Sequence, residues 1–174
     1  MRIIGGTFNQ GARRRWILSA AILSISATIF TARAFGAAIR VETPIAASVT
    51  DVWAAVCDVG AVSTRLAPGF VVDTRLEDGV RTVRFANGVV RERIVSIDDG
   101  IHRLGYSAID GLPTFHFASI EVVADKDGCK LIWTADVLPD SVAARIRALM
   151  EEGRVTMKST LESAAPTSQK RTGR

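Results

Sequence analysis

Two cysteines in 174 residues leave room for at most one disulfide. Cys57 and Cys129 would pair only in an oxidising compartment. Nothing in their surroundings brings them together, so two buried free thiols is the simpler expectation. Catalytic signatures are missing too. The chain has no H-E-x-x-H, no P-loop and no G-x-G-x-x-G behind a strand, and no Ser/His/Asp order stands out. Asp125-x-Asp127-Gly128 lacks the third ligand and the closing glutamate of a calcium loop, which leaves a hairpin turn. Neither a metal nor a cofactor is expected. Acids are absent from residues 1–37, where Arg2, Arg13, Arg14, Arg15 and Arg33 stand. Without those five the chain has 17 basic against 18 acidic residues, so the formal +4 belongs to the leader. A basic patch for nucleic acid or anionic membrane is therefore not supported.

What is present begins with an export pattern. Arg13-Arg14-Arg15 precedes the apolar run Trp16–Phe30, and Ala32-Arg33-Ala34 follows as an A-x-A cleavage site. The run falls short of the ~20 residues a spanning helix needs, so residues 1–37 read as a removed signal, cleaved near residue 34, and no stable membrane span remains. Paired arginines ahead of bulky apolar residues partly match a twin-arginine signal. The expected location is periplasmic; a misassigned start codon ahead of a cytoplasmic domain is the alternative. The tail from Ala164 (residues 164–174) is polar and basic, and expected to be disordered.

The body of the chain, residues 38–163, is organised around residues 79–137. Asn87-Gly88, Asp98-Asp99-Gly100, Asp110-Gly111 and Asp125-Lys126-Asp127-Gly128 cut this stretch into runs rich in Val, Ile, Thr and aromatics. Asn-Gly and Asp-Gly accept the positive φ of tight hairpins, so the runs read as an antiparallel meander without crossover helices. Alternation groups Val90, Glu92, Ile94 and Ser96, and likewise His102, Leu104, Tyr106 and Ala108, and places Glu92, Tyr106, Phe117 and Ser119 on one face. In the next run Phe115, Phe117, Ser119, Glu121 and Val123 oppose His116, Ala118, Ile120 and Val122. A face mixing aromatics, small residues and a few acids suits either a cavity wall or a sheet with polar edge positions.

Ahead of the meander, Ala38–Pro44 alternates as a first strand, and Ser48-Val49-Thr50-Asp51 is a capping box that starts a helix. Val49, Val52, Trp53 and Val56 form its buried face. A second short helix is expected over Val59–Leu66, stopped by Pro68-Gly69, and further strands over Phe70–Leu76 and Val80–Phe85. After Leu138-Pro139, Asp140 or Ser141 caps a long helix with Val142, Ile146, Leu149, Met150, Met157 and Leu161 at helical spacing. Gly153 lies on the same stripe. It either lets the helix approach the sheet closely or leaves room for something else, and Met150 and Met157 beside it make an adaptable wall.

With this element order, Val52-Trp53, Leu66-Ala67-Pro68-Gly69, RTVRFANGVVRERIVSIDD (81–99), LGYSAIDGLP (104–113) and LIWTADVLP (131–139) resemble the SRPBCC superfamily. This is the helix-grip fold of START domains, the birch-pollen allergen family and polyketide cyclase-like proteins. The resemblance implies an α+β fold: a curved antiparallel sheet of about seven strands wrapped around a long C-terminal helix, with two short helices after strand 1. It also implies a cavity between sheet and helix that holds an apolar, lipid-like or aromatic molecule. RERIVSIDDGIHRLGYSAI (91–109) is similar to the plant abscisic-acid receptors, in which positions matching Glu92, Tyr106, Phe117 and Ser119 line the pocket. Their pocket lysine and their gate and latch loops find no clear match, so hormone sensing is not implied. Architecture and leader also resemble periplasmic accessory proteins of bacterial methanol oxidation.

The expected ligand-binding set is Arg81, Val83, Phe85, Glu92, Ile94, Tyr106, Ala108, Phe117, Ser119, Leu149, Met150, Gly153 and Met157. For catalysis the candidates are Glu92, whose pKa burial would raise, with His102 and Tyr106. Arg81, on the Val83 and Phe85 face, would pair with Glu92 or with a ligand carboxylate. Three functions compete: a carrier for a hydrophobic small molecule, a cyclase- or isomerase-like enzyme, and an exported accessory protein. The last would dock a protein partner through Val95, Ile97, Ile120 and Val122.

Overall fold

A computed structural model describes residues 35–111 and 113–165; the leader assigned to residues 1–37 lies almost wholly outside them, as does all but the start of the tail. Strand β1 spans Ala37–Ile45, followed by helix α1 (Val49–Val56) and a five-residue π-turn, Val62–Leu66. Strands β2 (Asp73–Glu77), β3 (Val80–Phe85), β4 (Gly88–Asp98), β5 (Arg103–Ala108), β6 (Phe115–Asp125) and β7 (Gly128–Leu138) come next. A short 3-10 turn at Asp140–Val142 leads into helix α2, Ala143–Ala164. All seven strands form one antiparallel sheet in the order β1-β7-β6-β5-β4-β3-β2. This is the helix-grip fold expected from the sequence.

Local chemistry sets the boundaries. The Asp51 amide donates to Ser48 Oγ at 3.1 Å, as the capping box requires. The β2–β3 hairpin turns on Asp78 and Gly79 at φ 50° and 73°, the left-handed pair a two-residue reversal demands. Two expectations shift. The second short helix shrinks to the π-turn Val62–Leu66, and β2 begins at Asp73 instead of Phe70. Phe70 therefore lies in a loop, where sheet alternation does not fix its direction.

The concave face of the sheet is the core. Ile39, Val41 and Ile45 of β1, Leu131, Ala135 and Val137 of β7, and Ala118, Ile120 and Val122 of β6 are all buried there. Helix α1 packs over β6 and β7, whereas α2 packs against β1 on one side and the π-turn on the other. The buried positions of α2 are Met150, Gly153, Met157 and Leu161, a narrow stripe at helical spacing. Its polar flank covers the open edge of β1. Lys158 Nζ donates to the Pro44 carbonyl at 2.6 Å and Glu162 Oε1 accepts from the Ala46 amide at 2.9 Å. Capping in this way removes a free strand edge. Because α2 rests on β1 and the π-turn, its middle bridges the inner faces of the strands between, and the site lies beneath it.

Candidate functional site

Strand register puts Arg81 of β3 opposite Glu92 of β4, and Ile94 of β4 opposite Tyr106 of β5, all on the concave face. Arg81 donates from Nε and Nη2 to Glu92 Oε2, at 2.9 and 2.7 Å. Arg81 is 5% exposed and Glu92 13%, so the pair is well removed from water. The guanidinium carbon sits 4.9 Å from the centroid of the Tyr106 ring. Trp133 Nε1, from β7, donates to the Tyr106 hydroxyl oxygen at 2.8 Å. With that oxygen accepting from the indole, the Tyr106 O–H is left to donate outward. Among the described residues neither this O–H nor Glu92 Oε1 has a protein partner.

Burial is the first influence on both acids. It pushes the Glu92 carboxyl up, opposed by the charge and hydrogen bonds of Arg81. It pushes the Tyr106 phenol up as well, helped by the Glu92 charge, so Tyr106 remains a proton donor across the physiological range. A cavity of about 40 Å³ adjoins these groups, walled by apolar side chains that include Leu66, Phe70, Val83, Phe85, Ile120, Trp133 and Met157. One water needs roughly 10–15 Å³ of such space, and drug-sized ligands occupy pockets of about 300–1,000 Å³. The lining is apolar and aromatic around one ion pair, and its free volume is that of a few waters.

The expected site residues divide. Arg81, Val83, Phe85, Glu92, Tyr106 and Met157 line the cavity, and Gly153 packs against its aromatic wall. Ile94 and Ala108 share the concave face without reaching it, Met150 is buried in the core beside it, and Leu149 is only half-buried off the α2 stripe. Phe117 and Ser119 are not on this face. Tyr106 is paired with Ala118 and Gly105 with Ser119, so the 117/119 set lies on the convex side. There the Phe117 ring lies under the Arg103 guanidinium, 5.8 Å away, and Ser119 Oγ bonds Thr134 Oγ1 at 2.9 Å. Alternation identifies which residues of a strand share a face; only the register with a neighbour says which face that is. Ser96 also leaves the Glu92 face, because a bulge between Ile94 and Ser96 shifts the pairing by one residue.

The histidines exchange roles. His102 is a turn residue at φ 50° whose ring lies 5.6 Å from that of Trp53, tilted by 58°, and it does not line the cavity. Asp99 Oδ1 accepts from Trp53 Nε1 in the same corner. His116 instead lies on the concave side, 6.0 Å from the Tyr106 ring. Its Nδ1 accepts from the Ala108 amide at 3.1 Å, and burial lowers its pKa, so the neutral ring carries its proton on Nε2. The docking face proposed from the sequence also breaks up. Ile120 and Val122 are buried inside, while Val95 and Ile97 are exposed. Cys57 and Cys129 are unpaired. Among the described residues no three His, Cys, Asp or Glu side chains form a metal-binding group, and no helix is long and apolar enough to cross a membrane. Sequence reasoning missed Phe70, Ile120 and Trp133; the aromatic at the centre of Leu131–Ala135, on an inward strand, was the available signal for Trp133.

Residues 37–167 match the family described as polyketide cyclase / dehydrase and lipid transport. The chain belongs to this family. Solved structures agree at the level of fold. An uncharacterised protein from Bacillus thuringiensis is 15% identical over 73% of this chain and 98% of its own, with a TM-score of 0.63. Norcoclaurine synthase from Thalictrum flavum, solved with dopamine and hydroxybenzaldehyde, is 21% identical over 76% of this chain and 90% of its own, at a TM-score of 0.56. A Thermobifida fusca protein solved by solution NMR is 25% identical over 74% and 90% of the two chains, at a TM-score of 0.57. No curated protein matches the sequence significantly. Family and fold together suggest a helix-grip protein that binds a small hydrophobic ligand.

Proposed function

We propose that this family member binds a small, largely apolar molecule beneath α2, with the molecule's polar end held by Glu92 and Tyr106. One observation carries the proposal: a carboxylate oxygen and a phenol proton, both without protein partners among the described residues, border a cavity whose other walls are apolar and aromatic. Both face the cavity, where a ligand hydroxyl or amine would complete their hydrogen bonding. Arg81 holds the carboxylate in place and supplies the opposing charge. Protein purified gently from its natural host, extracted and analysed by mass spectrometry, should yield a small organic molecule in stoichiometric amount. Glu92→Gln and Tyr106→Phe should each lower its occupancy. Empty wild-type protein that also fails to bind 1-anilinonaphthalene-8-sulfonate would overturn the assignment.

A second possibility, catalysis of the cyclase or dehydrase kind in the same pocket, is favoured by the Tyr106 hydroxyl, whose oxygen accepts from Trp133 and whose proton is left to donate. A donor aimed into an apolar space polarises a carbonyl. Glu92→Gln decides that case, since unchanged turnover of an identified substrate removes Glu92 as its acid or base. The arginine-led apolar run and A-x-A pattern of residues 1–37 support a periplasmic location for this activity, which N-terminal sequencing of the mature protein from its host would test.

A further inference from the structure

A free volume of about 40 Å³ cannot admit one aromatic ring, although the walls are built as a ligand site is. Phe70 is one of the rings that wall it. This residue belongs to the loop between the π-turn and β2 and follows Gly69, which has φ 87° and nothing within 4 Å of its Cβ position. On either side the loop is fastened: the Val71 amide donates to the Ala67 carbonyl at 2.9 Å and the Val72 amide to the Arg84 carbonyl at 2.8 Å. Phe70 itself makes no backbone hydrogen bond to another described residue. Its ring alone holds it, edge-on to Phe85 with centroids 5.2 Å apart.

The Cε1–Cζ edge of that ring meets α2 where the helix has no side chain. A Cβ on Gly153 would lie 3.0 Å from Phe70 Cε1 and 3.1 Å from Trp133 Cζ3. Glycine in mid-helix is unfavourable relative to alanine, and here it makes a slot for two rings. Phe70 is nevertheless only half-buried, and it lines the cavity.

We propose that Phe70 is a displaceable plug. Its ring stands where a flat apolar group of the ligand binds, between Gly153, Phe85 and Trp133, and it swings outward about Gly69 as the ligand enters. The ligand class is then a one- or two-ring aromatic, or an apolar group of that thickness, with a hydroxyl or amine at the end that meets Glu92 and Tyr106. This rests on the binding function proposed above. Entry exchanges one set of aromatic contacts for another, which keeps the empty protein closed to water.

Indole is the probe. Phe70→Ala in the full chain opens a void of benzene-binding kind, since apolar cavities of about 150 Å³ take up benzene. The variant should bind indole at least tenfold more tightly than wild type, with amide shifts in NMR spectra centred on Phe85, Trp133 and Gly153. Adding Gly153→Ala to it refills the slot and should reverse most of the gain. Folded Phe70→Ala protein that binds indole no better than wild type, or shifts amides elsewhere, overturns the plug. If Phe70→Ala does not fold, Phe70→Leu gives the same reading with a smaller gain, and no gain there is likewise fatal. Two failures separate cleanly. Uptake of indole by Phe70→Ala, with natural-ligand affinity indifferent to Glu92→Gln and Tyr106→Phe, sinks the polar anchor and leaves the plug. A natural ligand that depends on Glu92 and Tyr106 but binds Phe70→Ala no faster than wild type sinks the plug and leaves the anchor.

Discussion

The two ends of the space under the helices are built from different materials. Around α1, Val52, Val56, Val122, Leu131 and Leu161 are buried branched aliphatics. Beneath the middle of α2, Phe70, Phe85, Tyr106 and Trp133 surround an ion pair and a small cavity. Each end also holds one polar irregularity. In the aliphatic end it is Thr43 Oγ1, the one buried side-chain polar atom without a partner among the described residues. In the aromatic end it is Arg81–Glu92, paired through two hydrogen bonds that converge on one oxygen. Branched aliphatics in narrow rotamers fix a shape; flat rings and a thioether slide against one another and leave room to rearrange. One end holds the fold together and the other is free to accept something.

The largest effect expected from this contrast is at the ion pair. Glu92→Leu strands a buried guanidinium and should cost about 3–5 kcal/mol, whereas Arg81→Met with Glu92→Leu should return close to the parent or above it. Urea unfolding of the three proteins measures this, and a double variant as weak as the single one breaks the claim that the pair serves binding more than folding. Leu131→Ala comes next. It should cost about 2–5 kcal/mol, because the aliphatic end cannot collapse onto the lost volume, and leave indole uptake by the aromatic end unchanged. An altered indole affinity would mean the two ends are mechanically one. Thr43→Val goes the other way. Replacing an unsatisfied hydroxyl by an isosteric methyl should stabilise by about 1 kcal/mol, read as a raised melting temperature; a loss would point to a buried water on Thr43.

The smallest effect is at the rim of the aromatic end. Burial lowers the folded-state pKa of His116 below its ordinary value of 6.5. Between the folded and the ordinary pKa the unfolded chain binds the extra proton, so stability increases with pH there. The contribution is complete above pH 6.5 and is lost as pH falls through the folded value. His116→Asn should flatten that part of a stability-against-pH curve without altering the alkaline side. An unchanged acid limb would place His116 outside the linkage.

Much of the fold was legible because its signals are local. Hairpins at Asp78-Gly79 and Asp125–Gly128 depend on residues that tolerate positive φ, the capping box at Ser48 depends on a three-residue spacing, and the α2 stripe depends on a period of 3.6. Arg81 opposite Glu92 was legible for the same reason, since a short hairpin fixes its own register. Phe117 and Ser119 were misplaced because the loop Ile109–Thr114 between β5 and β6 is too long to fix one. His116 turned inward with that same slip, His102 fell in a turn at φ 50° outside β5, and Phe70 escaped because a loop residue has no alternation to follow.

The chain by itself settled its strands, its two helices, their order and the pairing across tight turns, since each is an affair of neighbours a few residues apart. Tertiary structure alone decided which side of β6 faces inward, that Trp133 donates to Tyr106, and that Phe70 fills the gap opposite Gly153. Those depend on groups dozens of residues apart meeting within a few ångströms, and the geometry that brings them together is set by the curvature of the whole sheet and by where α2 finds support.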